Sequence, residues 1–359
     1  MQVVVVGSGY SGTLVANRID RTVQDARITV INPRPDFVER VRLHQQIAGT
    51  YSAATPLAQV LREAITVRVG AVDKIGDGAV ALADGGRIDF DYAFVAVGST
   101  VVPMPGTVAV GTWEGAQQAR AVLTDLPGGG RVTVIGGGPT GIETAAEIAE
   151  ARPDLRVRLI GSAVGGGLSA GAHRRLRTGL ERLTVEIIDD EVTEVVSDAG
   201  QFAGVVRLRS GADLGSDLTL WAIVADVPDL AVRSGLAVDA RGRVVVDEFL
   251  RSTSDARIFA VGDCAAVPGA RFACYTALPQ AIHAADNLAR LCKGRKLKPH
   301  SFPYWNRGIS LGRRDAITQF THADDSVRRA YLAGRGAVAL KEMGTHSAFS
   351  SARAGVSRF

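Results

Sequence analysis

The stretch VTVIGGGPTG (Val132 to Gly141) repeats, with changes, the stretch VVVVGSGYSG (Val3 to Gly12) at the start of the chain. Each is a short β-branched run that ends in G-x-G-x-x-G. Residues 2–6 read as a strand, 7–12 as a tight loop, 14–19 as the start of a helix and 27–31 as the next strand. Residues 131–135, 136–141, 142–151 and 157–160 repeat that order. The spacing from the last glycine to the end of the second strand is also repeated, Gly12 to Asn32 and Gly141 to Gly161. A β-loop-α-β unit implies a parallel sheet. Two of them predict an α/β protein with two Rossmann-like nucleotide-binding domains.

The glycines have separate tasks. Gly7 and Gly136 permit the tight turn. Gly9 and Gly138 let backbone approach a diphosphate, and Gly12 and Gly141 let the helix pack on the strand. The helix N-terminus then offers free N–H groups to the phosphates. In the first copy the ribose-binding acid expected at the second strand's end is Asn32. Arg34 and Arg42 follow, either as contacts to phosphate or adenine or as solvated side chains. In the second copy Gly161 and Ser162 stand at that position. NAD and NADP are therefore not distinguished. Glu143 is either a buried carboxylate near a cofactor or a charge favoured by the helix dipole.

The 359 residues suit two or three domains, with 46 % hydrophobic and 22 % charged residues. The net charge of +4 is spread in scattered basic pairs, so nucleic acid is not an expected partner. Cys264, Cys274 and Cys292 form no C-x-x-C or zinc spacing, which fits a cytoplasmic protein without a metal site. The first apolar run is a strand, not a signal peptide, and no segment reaches the roughly 20 apolar residues that span a bilayer.

Residues 66–75, 79–82 and 92–97 read as strands, and 101–106 as a linker. Residues 184–188, 205–209 and 219–224 follow the second copy. A second crossing at 226–229 leads to a buried strand at 257–261 and a helix at 277–292. The remainder, from about Lys298, mixes short strands and turns, and the last dozen residues are expected to fray.

The order G-x-G-x-x-G, DYAFVAVGS, G-x-G-x-x-G, TSDARIFAVGD resembles the two-dinucleotide-binding flavoprotein reductases, most closely the type II NADH dehydrogenase and AIF-like branch. The resemblance implies a glutathione-reductase-type fold. Residues 1–107 and 226–297 would hold FAD, residues 108–225 would form an inserted NAD(P)H domain, and 298–359 a small C-terminal α+β region. It implies that Gly7, Gly9, Tyr10, Ser11 and Gly12 cradle FAD, and that Gly136, Gly138, Pro139, Thr140 and Gly141 face the second nucleotide. Val72 matches the backbone position that meets adenine. Ala96, Val97 and Gly98 match the crossover beside the cofactor. Gly262-Asp263 matches the ribityl-binding turn. Pro279 and Gln280 would sit at the start of a helix aimed at the flavin pyrimidine edge.

The chain departs from the family in three places. The disulfide branch carries a cysteine pair where this chain has RPDFVERVRLHQQIAG. His44 in that segment is a candidate acid/base or substrate contact, or a structural histidine. Residues 279–284 keep only the first glutamine of the quinone-reducing A-Q-x-A-x-Q, and the tail lacks a wide apolar stripe. In WAIVADVPDL, Ile223, Val224 and Ala225 stand where the family has glycines that leave room for nicotinamide.

The resulting expectation is an FAD-dependent oxidoreductase passing hydride from NAD(P)H to FAD and electrons to a soluble or small-molecule acceptor, with Glu143 and His44 as catalytic candidates. A flavoenzyme acting directly on an organic substrate, or a non-catalytic nucleotide-binding protein, are the alternatives. The C-terminal region would either cap the flavin or form the face of a homodimer.

Overall fold

The computed structural model describes residues 1–197, 202–224 and 226–356. Ala225 and the last three residues of the tail lie outside them. The first sheet has five parallel strands in the order Ile258–Ala260, Tyr92–Val95, Gln2–Val6, Arg27–Asn32, Thr66–Val69. Its central strands are buried on both faces, which explains their unbroken Val and Ile runs. Helices Tyr10–Thr22 and Cys274–Cys292 cover one face. Val72–Gly76, Ala79–Leu82 and Arg87–Asp89 form an antiparallel sheet over the other.

The run expected at 66–75 is therefore two strands in different sheets. The chain turns at Gly70, whose N–H donates to the Asn32 carbonyl at 2.9 Å. Periodicity does not separate two short strands joined without a polar break.

The chain then leaves the first sheet. The second also has five parallel strands, ordered Val108–Ala109, Leu218–Trp221, Arg131–Ile135, Arg156–Ile160, Glu186–Ile188. The two crossings touch where Thr100 N–H donates to the Asp226 carbonyl at 2.8 Å.

The C-terminal region is α+β as expected, but its end is not frayed as expected. Strands Asn306–Ser310, Ala316–Thr321 and Val327–Ala333 form an antiparallel sheet, followed by a helix over Arg335–Ala354. The frayed tail of the sequence reading is thus largely helical. Its small residues are the packing face, with Ala348, Ser351 and Ala352 buried. They let the helix lie close against Tyr10–Thr22. Asn17, fully buried, donates from Nδ2 to the carbonyls of Ala352 (2.8 Å), Arg353 (3.1 Å) and Val60 (3.0 Å), and accepts from Arg62 N–H at 2.9 Å. Gly355 closes the helix in the left-handed conformation, φ 64°.

Asn17→Ala strands several buried backbone groups at once. It should lower unfolding stability by about 2–3 kcal/mol, measured by chemical denaturation.

Candidate functional site

Both glycine loops open onto one cavity of about 1630 Å³. A methyl group on Gly7 would lie 2.5 Å from the Ala96 carbonyl oxygen, and one on Gly12 1.9 Å from that of Gly7. The second loop repeats this, with Gly141 placing a methyl 1.8 Å from the Gly136 oxygen. Gly9 and Gly138 differ, having no atom within 4 Å of the added carbon. The outer glycines of each loop permit packing; the middle one leaves space for a ligand. Both loop helices begin without a side-chain cap, so their first N–H groups are free to meet phosphate. The buried Ser8 hydroxyl beside them also has no protein partner. This cradle fits a dinucleotide in each copy.

Asn32 accepts from Ser8 N–H at 3.2 Å and donates to the Arg34 carbonyl at 2.7 Å, so the amide also ties the loop to the segment after the strand. Val72, Ala96, Val97, Gly98, Gly262 and Asp263 line the cavity. Asp263 accepts from Ser99 Oγ at 2.6 Å and from Ala273 N–H at 3.1 Å. Burial pushes its carboxyl above the usual range, against the pull of Ser99 and Arg40.

The long helix starts at Cys274, earlier than expected. Pro279 is therefore its sixth residue, not part of an N-terminal turn, and neither it nor Gln280 lines the cavity. Gln280 instead accepts from Gly262 N–H at 2.7 Å and fixes that turn. Burial pushes the Cys274 thiol up to about 12, which keeps it from acting as a thiolate.

The two catalytic candidates meet across the junction of the folds. His44 Nδ1 lies 3.9 Å from Glu143 Oε2, and both side chains line the cavity. Sequence reasoning missed their third partner, Lys341 of the C-terminal helix, which forms an ion pair with Glu143. Ser310 adds its N–H at 2.9 Å and its hydroxyl at 3.2 Å. Burial raises the Glu143 carboxyl, but the Lys341 ammonium and the Ser310 N–H outweigh it and hold it below the usual range. Burial lowers His44 to about 4, so its ring is neutral near pH 7.

Arg42 does not line the cavity. Its guanidinium donates to Glu342 (2.8 Å) and Gln45 (2.9 Å) and lies over the Tyr51 ring. Arg34 lines the cavity and pairs with Glu114. Ile223 and Val224 form part of the wall, and Ile223 is 40 % exposed there. Ala225, the third residue of that bulky segment, lies outside the described residues.

The sequence profile of the pyridine nucleotide-disulphide oxidoreductases matches residues 1–287. The chain belongs to that family. Within it, the chain is 29 % identical to an NADH dehydrogenase-like protein of Mycobacterium tuberculosis, covering 88 % of this chain and 87 % of that one. It is also 29 % identical to rhodocoxin reductase of Rhodococcus erythropolis, over 75 % of this chain and 66 % of that one. The fold matches the sulfide:quinone oxidoreductase of Aquifex aeolicus, with a TM-score of 0.79 and 20 % identity over 99 % of this chain and 92 % of the other. It likewise matches NDH2 of Plasmodium falciparum in complex with NADH, with a TM-score of 0.78 and 14 % identity over 99 % and 96 %.

The family member is thus an oxidoreductase that binds FAD and NAD(P)H and passes electrons from NAD(P)H through FAD to an acceptor. The non-catalytic reading falls away. When bound, FAD supplies the hydride-accepting chemistry that no side chain here provides.

The unfolded His44 ring takes up a proton near 6.5 and the folded one near 4. Between those values the unfolded chain binds more protons. The contribution of His44 is therefore full above pH 6.5 and is lost as pH falls toward 4, amounting to about 3 kcal/mol. Denaturation from about pH 7 down to about pH 4.5 should show His44→Leu less acid-sensitive than wild type by about 2 kcal/mol. Equal sensitivity would remove His44 as the source.

Proposed function

We propose that this enzyme oxidises NADH rather than NADPH and delivers the electrons to a diffusible small-molecule acceptor in the cytoplasm. The observation that carries the reading is that both glycine loops open onto one cavity, with the pair His44 and Glu143 between them. On this reading residues 1–107 and 226–297 hold FAD, residues 108–225 hold NADH, and 298–359 close the cavity. Glu143, kept ionised by Lys341, would accept a hydrogen bond from the nicotinamide amide, with neutral His44 beside it.

The preference for NADH is supported at the adenosine end. A side chain at Gly161 would collide with Gly137 N at 2.5 Å, so no ribose-reading residue fits there. The next strand end puts Asp190 on the cavity wall. Hydrogen bonds from Ser210 and from the Glu191 N–H hold its carboxyl below the usual range. An ionised carboxylate there repels a 2′-phosphate. The absence of a membrane-crossing helix among the described residues is compatible with a diffusible acceptor. So is the lack of a cysteine pair in the 34–49 segment.

Anaerobic mixing of the yellow protein tests this reading. NADH should bleach it at least about tenfold faster than NADPH. A yellow protein bleached by neither nucleotide would refute the proposal.

A second reading, direct oxidation of an organic substrate, draws on the exposed Ile223 at the nicotinamide approach. If that bulk is an obstacle, Ile223→Gly with Val224→Gly should speed NADH bleaching by about tenfold or more. An unchanged rate would remove that explanation.

A further inference from the structure

A second buried carboxyl, Glu39, stands behind the first glycine loop. It is 3 % exposed and does not line the cavity. Each of its oxygens accepts from a different phenol. Oε2 accepts from the Tyr10 hydroxyl at 3.2 Å, and Oε1 accepts from the Tyr51 hydroxyl at 2.9 Å. The two phenols sit in different surroundings. Tyr10 is buried and lines the cavity. Tyr51 lies outside the cavity and is 41 % exposed. Hydroxyl, carboxyl and hydroxyl thus form one chain of hydrogen bonds from the cavity to the surface. Other side chains hold it in place. The Arg42 guanidinium lies 3.6 Å from Glu39 and 4.6 Å from the centre of the Tyr51 ring, and it pairs with Glu342 at 2.8 Å. Phe37 packs edge-on against the Tyr10 ring at 5.1 Å. Arg42 by itself meets the charge of the Glu39 carboxylate. The two hydroxyls add what an ion pair does not need, groups that both take and give a proton.

The reaction needs such groups. NADH, a two-electron acceptor A and one proton give NAD+ and AH2. The hydride brings both electrons and one hydrogen of AH2. The other hydrogen arrives as a proton from solvent. The pair at the junction of the folds holds no acidic proton near pH 7, because His44 is neutral and Glu143 is ionised. We propose that Tyr51, Glu39 and Tyr10 relay this proton from solvent to the reduced acceptor. Tyr10 gives its hydroxyl proton to the anion AH−. Glu39 refills the Tyr10 oxygen with a proton taken from Tyr51, and Tyr51 takes one from water. The carboxyl receives on Oε1 and, after turning about its Cγ–Cδ bond, delivers to Tyr10. That torsion is broad and two-fold, so the turn is cheap. No electrons move in these steps, and each relay group ends as it began. Burial, with Cys274 and Glu39 beside it, holds the Tyr10 hydroxyl well above the usual phenol range. It is therefore protonated at rest, and its phenolate, once formed, draws a proton back strongly from Glu39.

The proposal rests on the small-molecule acceptor proposed above, and two readouts keep the failures of the two apart. FAD-loaded wild type, Tyr51→Phe and Glu39→Gln are reduced by NADH and then reoxidised by p-benzoquinone in separate stopped-flow runs. Tyr51→Phe removes one part-exposed hydroxyl and leaves the ring under Arg42. Bleaching by NADH moves a hydride and no solvent proton, so both variants should match wild type within about twofold. Reoxidation consumes the proton and should slow by at least about tenfold in both. The second readout needs no acceptor. NMR of ring-labelled tyrosine in mixed light and heavy water follows exchange of the Tyr10 hydroxyl with solvent in the FAD-loaded protein. Tyr51→Phe should slow that exchange by at least about tenfold. Wild type that p-benzoquinone does not reoxidise would count against the small-molecule acceptor, and the exchange rate would then decide the relay. Exchange unchanged in Tyr51→Phe would overturn the relay whatever the reoxidation rate. Reoxidation by p-benzoquinone at the wild-type rate in both variants would overturn it too. So would equal slowing of bleaching and reoxidation, because it would mark a general disturbance of the site.

Discussion

The positions of the glycine-loop helices depend on a contact that leaves no room for a methyl group. Gly12 lies against the carbonyl of Gly7, and Gly141 against that of Gly136. This packing brings each helix N-terminus to the end of its central strand, where its free N–H groups meet the cavity. The positions of Asp263, Asn32 and the crossover are set from the same loop. Ala96 packs directly on Gly7, and Asn32 accepts from Ser8 N–H.

The junction between the folds follows a different rule, the balance of buried charge. Glu143 is ionised only because a cation and hydrogen-bond donors reach it. Its cation, Lys341, comes from the far end of the chain, on a helix anchored to the first fold through Asn17. The neighbouring Glu342 pairs with Arg42 of the first fold. One turn of the C-terminal helix thus supplies both signs of charge, one to each nucleotide fold. Buried pairs of this kind add little net stability, but breaking one partner leaves a charge uncompensated. The arrangement therefore acts on the relative placement of the folds more than on their stability.

The two Rossmann-like units and the insertion of one in the other were legible because glycine spacing and β-branched runs are local signals. The strand at Gln2–Val6 and the one at Arg131–Ile135 coincide with their sequence assignments. The start of the Cys274–Cys292 helix was not legible. Proline is favoured in a first turn and so drew the boundary to Ala277, whereas the helix begins three residues earlier, at Cys274, and accommodates Pro279 as its sixth residue. The C-terminal helix was hidden for another reason. Ser, Ala and Gly read as a loose tail until a partner helix lies close enough to require small side chains.

The sequence by itself determined the α/β class, the repeated dinucleotide cradle and the family, because each is written in residues near one another along the chain. Only the tertiary structure decided which charges meet. His44, Glu143 and Lys341 lie far apart in sequence and converge where three parts of the chain pack together. It also decided that Arg42 is spent on Glu342 while Arg40, two residues earlier, lines the cavity and donates to oxygens of Gly111 and Ser99. No local pattern distinguishes two arginines in one short segment. Their partners come from distant elements, and electrostatic pairing depends on separation in space.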